Sequence, residues 1–154
     1  TERSIVNEYS EEEIGRIVRM YGEEKRWRTI AHAICVAREL SPIETTDQLV
    51  AIIGGYHVGS IHPATRTFQA LRIAVNDELS ALKEGIEQSI SLLKNGGRVA
   101  IISFHSLEDR IVKHMFKESA ALRVITQKPI TPSLEECAEN PRARSAKLRI
   151  AEKI

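Results

Sequence analysis

One short turn, Ser103-Phe-His-Ser106, brings together the residue types best suited to chemistry in this chain. A histidine can act as a general base or hydrogen-bond a ligand. The turn follows an apolar run at residues 99–104, and open α/β sheets bind ligands at the carboxyl ends of their strands. No Ser/His/Asp or metal-ligand spacing surrounds His105, however. The residues alone therefore favour a turn histidine with satisfied hydrogen bonds, followed by a helix with Ser106 as its N-cap.

A second set of polar side chains follows one side of a predicted helix. The residues on this side are His62, Arg66, Gln69, Ile73 and Asn76, and those on the opposite side are Phe68, Leu71, Val75 and Leu79. Arg66 has no acidic residue three or four positions away, so no intrahelical ion pair is predicted for it. Pro63 suits the first helical turn, where N–H groups bind anions. This side is either a solvated face or a surface that contacts a phosphate or a substrate.

Basic residues crowd the C-terminus, although the formal net charge of the chain is only +1. The cluster consists of Arg142, Arg144, Lys147 and Arg149. These cations suit contacts with a nucleic-acid backbone. They suit equally well an exposed edge strand, which cations protect from pairing with another chain. Net charge therefore neither indicates nor excludes a nucleic-acid partner.

The sequence contains no recognisable metal or nucleotide motif. Histidines 32, 57 and 114 are scattered, so no metal site is predicted. The pairs Gly54-Gly55 and Gly96-Gly97 each follow a predicted helix, whereas a glycine-rich cofactor loop follows a strand. The two cysteines, Cys35 and Cys137, lie far apart, which is typical of reduced thiols in a cytosolic protein. No apolar run approaches the roughly 20 residues that span a membrane.

The first 55 or so residues are predicted to form a small helical module. The predicted elements are a helix opened by a capping box at Ser10 and Glu13, a helix over residues 23–39 that ends at Ser41-Pro42, and a short helix opened by Thr45 and Gln48. Trp27, Ile30, Ala31 and Ile34 are expected to face inward. Residues 56–61 are predicted to form a loop.

The second half mixes helical and extended patterns. Apolar residues recur every three or four positions from Phe68 to Leu93, which predicts either one helix of about 30 residues or two helices with a bend near Asn76. Residues 99–104 are predicted to form a strand buried on both faces. A helix opened by Ser106 and Asp109, a strand over residues 122–126, a short helix at residues 133–140 and a half-exposed strand at residues 146–150 follow. The pattern predicts a partial α/β sheet.

Five stretches of the chain resemble one known family. They are Tyr21-Gly-Glu-Glu24, residues 62–79, residues 96–113, Lys128-Pro-Ile-Thr-Pro132 and residues 140–149. These stretches resemble the C-terminal portion of the bacterial 16S rRNA cytosine-N4 methyltransferases. The resemblance implies a Rossmann-like fold, dependent on S-adenosylmethionine, with an all-helical insertion. Residues 1–70 would form most of that insertion, and residues 71–154 the second half of the methyltransferase domain.

The resemblance also implies roles for individual residues. His105 and Ser103 would take part in catalysis of methyl transfer to the N4 amine of a cytidine. The residues expected to contact RNA are His62, Arg66, Gln69, Asn76, Phe104, Arg142 and Arg144. The cofactor-binding loop is expected upstream of Thr1, so the chain alone would be inactive. The implied partner is 16S rRNA in the small ribosomal subunit, and the implied location is the cytoplasm. The alternative is a non-catalytic module that binds RNA or protein.

Overall fold

The computed structural model describes residues 1–55 and 62–154, and the predicted loop at residues 56–61 lies outside them. The chain divides into two compact units, Thr1–Asp77 and Glu78–Ile154. The described residues are mostly helical with a small three-stranded sheet, which confirms the prediction of a mixed α/β protein. The boundary predicted after residue 70 falls within the last helix of the first unit.

The described part of the first unit is entirely helical. Its helices are α1 (Glu2–Glu8), α2 (Glu11–Gly22), α3 (Trp27–Leu40), α4 (Thr46–Ile53) and α5 (Thr65–Asn76). The predicted capping boxes of Ser10 and Thr45 are both present. Helix α1 was not predicted from the sequence. Only Ile5 and Val6 are buried in it, and two apolar positions are too few to reveal a helical repeat.

Two helix starts in this unit differ from the prediction. Helix α3 begins at Trp27 and not near residue 23, because Glu23 adopts a left-handed conformation (φ 49°) and ends α2. Pro63 precedes α5 and does not lie in its first turn. The Thr65 N–H donates to the His62 carbonyl, and this turn places the N-cap at Ala64.

Helices α2 and α5 pack closely at Gly22. A Cβ at this position would lie 2.6 Å from the Arg66 carbonyl oxygen and 3.3 Å from the Ala70 Cβ. Any side chain would therefore push the two helices apart. This close contact explains why a glycine occupies position 22 in the stretch Tyr21-Gly-Glu-Glu24.

The second unit combines helices with the sheet. Its described elements are α6 (Glu78–Leu92), β1 (Arg98–Ser103), α7 (Ser106–Glu118), β2 (Leu122–Val124), α8 (Leu134–Glu139), a 3-10 helix (Pro141–Ser145) and β3 (Lys147–Lys153). Asp77 takes a left-handed conformation (φ 48°) between α5 and α6. Aspartate tolerates this region better than most residues. The two-helix alternative, with a break near Asn76, is therefore confirmed.

The sheet is antiparallel with β3 at its centre, in the order β1-β3-β2. Val99 of β1 and Ala151 of β3 are buried with Val112 and Phe116 of α7 on one face. On the other face of β1, Ile102 is 58% exposed. The prediction that this strand is buried on both faces is therefore wrong for the described residues, because α6 and α7 cover only one face of it.

The C-terminal strand also differs from its prediction. β3 is the central strand, so its basic residues do not protect a sheet edge. Arg149 is only 6% exposed. It faces α7 on the covered side of the sheet, where Asp109 binds it. Burial also removes Arg149 from the basic surface predicted at the C-terminus.

Candidate functional site

The turn between β1 and α7 holds the residues predicted for catalysis. Ser103 is 3% exposed, and its Oγ donates to the Lys147 carbonyl at 3.4 Å. Phe104 is 54% exposed. The His105 side chain is 10% exposed and points inward. The turn therefore presents an aromatic ring at the surface above a largely buried imidazole.

His105 is the N-cap of α7, and Ser106 is its first residue. The expectation that Ser106 caps the helix is thus wrong by one position, because the backbone is still extended at His105 (φ −142°, ψ 168°). The His105 Nδ1 accepts the Glu108 N–H at 3.3 Å. In return, the Glu108 carboxylate accepts the N–H groups of Phe104, at 2.8 Å, and His105, at 3.3 Å. Together these bonds form a capping box.

This capping box fixes which atoms of the turn are available for chemistry. Because Nδ1 accepts a hydrogen bond, the proton of the neutral imidazole lies on Nε2. Nε2 lies 3.4 Å from Glu108 Oε1. Glu78, at the start of α6, joins this pair, and one ligand atom from each of the three residues lies within 4.8 Å of the others. The proton acceptors of the cluster are therefore its two carboxylates. Two carboxylates and an imidazole at these separations would also suit a divalent cation.

A buried ion pair holds α7 against β3 beside this cluster. The Asp109 carboxylate accepts from Arg149 Nε at 2.7 Å and Nη2 at 3.2 Å, and Lys147 Nζ lies 3.5 Å away. These hydrogen bonds from Arg149 hold the pKa of Asp109 below its usual value. Ser103 pairs with Lys147 in the β1–β3 register. Strand β3 therefore holds the turn on both sides, at Ser103 and at Asp109.

The residues predicted on α5 belong to the first unit and divide into two groups. His62, Arg66 and Asn76 are exposed. The Gln69 Nε2 donates to the Tyr21 carbonyl at 3.2 Å, which ties α5 to the end of α2. Ile73 is buried, contrary to its predicted position on the polar side. Helix α5 packs against both α1 and α2, so its buried arc is wider than one face.

Arg142 and Arg144 lie on the 3-10 helix of the second unit, and both are exposed. The buried Ala143 between them anchors this helix. Neither arginine forms an ion pair within the described part of the chain. Their guanidinium groups are therefore accessible to an anion.

The turn after β1 differs from a glycine-rich cofactor loop. A cofactor loop needs N–H groups that point at the ligand, at a glycine-rich turn after a strand. The turn after β1 contains no glycine, and the N–H groups of Phe104, His105 and Glu108 are bonded within the capping box. Gly54 and Gly96 follow helices. The turn after β1 therefore offers a ligand its side chains and not these three N–H groups.

Sequence reasoning did not find several residues of these sites. Asp109 was expected as a capping residue, and its pairing with Arg149 spans 40 positions. Glu78 and His105 are 27 positions apart. In the first unit, Trp27 packs against the core as expected but is only half-buried, and the guanidinium groups of Arg19 and Arg28 lie over its ring. Arg28 is adjacent to Trp27 in the sequence, whereas Arg19 reaches the ring from helix α2.

Among the described residues, each helix is too short or too polar to cross a lipid bilayer. Comparison with known proteins matches the whole chain, residues 1–154, to the MraW methylase family. A relative from Persephonella marina, named ribosomal RNA small subunit methyltransferase H, is 52% identical over 97% of the chain and 54% of its own length.

Two further relatives carry the same name. The one from Deinococcus deserti is 54% identical over 97% of the chain and 51% of its own length. The one from Synechocystis is 55% identical over the full chain and 51% of its own length. The chain spans about half the length of the curated relatives it matches. With its whole length matched by the family model, the chain belongs to the MraW methylase family.

Proposed function

We propose that the protein carrying this chain methylates the N4 amine of a cytidine in 16S rRNA, with S-adenosylmethionine as methyl donor. The observation that supports this most is the family match over all 154 residues. Relatives named ribosomal RNA small subunit methyltransferase H match nearly the whole chain at 52% to 55% identity. The partner in this proposal is 16S rRNA within the small ribosomal subunit.

The turn after β1 would receive the target base. Methylation of an exocyclic amine releases one proton, and a carboxylate close to the amine can hydrogen-bond it and accept that proton. We assign this role to the cluster of Glu78, His105 and Glu108, where the carboxylates are the acceptors. His105 would orient the carboxylate through its Nε2–H. Ser103 would hold the turn in place, and the exposed ring of Phe104 would pack against the base.

The exposed cations would hold the RNA backbone. Arg66 in the first unit, and Arg142 and Arg144 in the second, are exposed and accessible to phosphates. His62 and Asn76 would add polar contacts near Arg66. Gln69 would act indirectly, since its amide already binds the Tyr21 carbonyl.

The cofactor would bind to the half of the protein that corresponds to the unmatched part of the relatives. The bonded N–H groups of the turn after β1 support this division. The exposed Arg66, Arg142 and Arg144 also favour a second candidate function, in which the chain acts as a non-catalytic RNA-binding module.

Methyl transfer from labelled S-adenosylmethionine to small ribosomal subunits that lack the modification distinguishes these functions. A full-length protein carrying these residues should produce N4-methylcytidine, identified by nucleoside analysis, and the 154-residue chain should produce none. RNA binding without methylation by the full-length protein would select the binding module. Methylation by the 154-residue chain would show that the cofactor site has been assigned to the wrong half.

A further inference from the structure

The single tryptophan of the chain forms, with two arginines, a surface for which the family resemblance predicted no role. We propose that Trp27, Arg19 and Arg28 bind single-stranded RNA, with an unpaired base displacing the Arg28 guanidinium from the face of the indole and adjacent phosphates binding both guanidinium groups. This inference rests on the proposed rRNA substrate and adds a contact to it. All three residues belong to the first unit.

The indole of Trp27 packs against helix α2 at Gly15. A Cβ added at Gly15 would lie 3.0 Å from both Cε3 and Cζ3 of the indole, so the ring rests directly on the α2 backbone. Ala31, one turn further along α3, is buried next to Gly15. The indole is only half-buried, so part of it still faces solvent. A rigid, partly exposed aromatic ring is the usual platform for an unpaired base.

The two arginines are oriented by this ring and remain available to an anion. The guanidinium carbon of Arg28 lies 4.2 Å from the ring centre, and that of Arg19 lies 5.5 Å from it. Both distances are within the range of cation–π attraction. Both arginines are exposed, and neither forms an ion pair with another described residue. By contrast, the exposed Arg3 is bonded to Glu44 at 2.7 Å.

The charge at the Arg19 end of this surface favours a polyanion over a neutral partner, whereas residues 11–13 at its other end are three glutamates. Residues 16–28 contain five basic side chains against two glutamates, whereas the whole chain has a net charge of +1. One of the five, Arg26, is partly occupied by the Ile53 carbonyl. The remaining excess is located where α2 ends and α3 begins.

The acidic residues nearby determine the direction in which a bound RNA strand would run across this surface. Glu11 and Glu12 line an open groove of about 390 Å³ together with Trp27 and Arg28. Arg19 lies on the same helix as these glutamates, about 10 Å further along its axis. A phosphate backbone is repelled at the glutamate end and attracted at the arginine end. The strand should therefore leave Trp27 on the side of Arg19.

Trp27 also supplies the measurement, because it is the only tryptophan in the chain and its fluorescence reports on this surface alone. We would titrate the 154-residue chain with a short unstructured RNA at several salt concentrations. The expected result is quenching of Trp27 fluorescence, together with binding that weakens as salt rises. Arg19→Gln and Arg28→Gln should each reduce the slope of log affinity against log salt by about 0.7.

Two further variants separate stacking from charge and from general surface effects. Trp27→Leu, followed with a labelled RNA, should weaken binding about tenfold. Arg3→Gln is the matched control, since it removes an exposed arginine of the same unit that is already bonded to a carboxylate. Its salt slope and its quenching should equal those of the unmodified chain. Thermal unfolding of each variant would confirm that it is folded.

Three results would overturn the proposal. One is RNA binding that leaves Trp27 fluorescence unchanged, and another is an unaltered salt slope in both arginine variants. The third is equal quenching and affinity with polyglutamate, which would assign the surface to an acidic protein partner. Methyl transfer by the full-length protein with no response at Trp27 would sink this inference alone. A response at Trp27 without methyl transfer would sink the proposed function alone.

Discussion

Replacing His105 separates its two roles, because the same imidazole both caps α7 and belongs to the candidate catalytic cluster. His105→Ala removes the acceptor of the Glu108 N–H. Loss of an N-cap side chain costs about 1 kcal/mol. In a chain of 154 residues that loss should lower the melting temperature by about 2–4 °C.

His105→Ser is the matched variant. A serine at the N-cap also accepts the N–H three residues later, so the melting temperature should stay close to that of the unmodified chain. Serine cannot replace the imidazole Nε2–H that faces the Glu108 carboxylate. If the Nε2–H orients the Glu108 carboxylate that accepts the proton, both variants should slow single-turnover methyl transfer by the full-length protein. The expected loss is more than tenfold, about 1.4 kcal/mol in barrier.

Thermal unfolding followed by circular dichroism, with single-turnover kinetics on the same variants, measures both effects. An alanine variant that melts at the original temperature would refute the capping role of His105. A serine variant with the original rate would show that the imidazole takes no part in the reaction, whatever the alanine variant does. Slow transfer in alanine and full recovery in serine would mean that helix capping alone accounts for the effect.

Three further predictions concern the buried ion pair and the packing of α2 against α5. Asp109→Asn leaves the Arg149 guanidinium buried without its carboxylate, so chemical denaturation should show a loss of about 3 kcal/mol, whereas Arg98→Gln, at an exposed ion pair, should cost far less. The pKa of Asp109 is lowered in the folded state, so the stability it contributes is present above the unfolded value of 3.8 and is lost as pH falls below it; acid titration of Asp109→Asn should lack this loss. Gly22→Ala should destabilise the chain by about 1–3 kcal/mol, because its Cβ would lie 2.6 Å from an α5 carbonyl oxygen. Gly85→Ala places its Cβ where nothing lies within 4 Å, so it should stabilise the chain by about 0.5–1 kcal/mol. Equal melting temperatures for the two variants would contradict this account.

Local sequence patterns predicted the start of a helix well where a capping box defines it. The capping boxes of Ser10 and Thr45 formed as expected, because both partners of each bond lie within four residues. The start of α7 was harder, because two overlapping patterns compete there. Serine is a preferred N-cap residue, so the pattern of Ser106 with Asp109 predicted the cap at Ser106. In the structure, His105 and Glu108 form the capping box. The pairing of β1 with β3 extends to Ser103 and leaves His105 extended, so tertiary structure decides which residue is the cap.

Longer-range pairs lay beyond the sequence patterns. Alternation along residues 146–150 suggested that Arg149 is solvent-exposed, since a cation between apolar residues usually marks the outer face. Asp109 reverses this expectation, because a bidentate carboxylate can hold a guanidinium inside. The partner lies 40 positions away, so no local window contains both residues. The same limit applies to Glu78 and His105.

The capping box after β1 also determines which groups this turn can offer to a ligand. A turn whose N–H groups point outward can bind an anionic or nucleotide-like ligand through its backbone. Here three of those groups are bonded inward, to Glu108 and His105. What remains for a ligand at this strand end is side-chain chemistry, from two carboxylates, an imidazole and the ring of Phe104. Such groups suit the recognition of a base and its amine, so under the proposed function this turn would position the nucleotide that receives the methyl group.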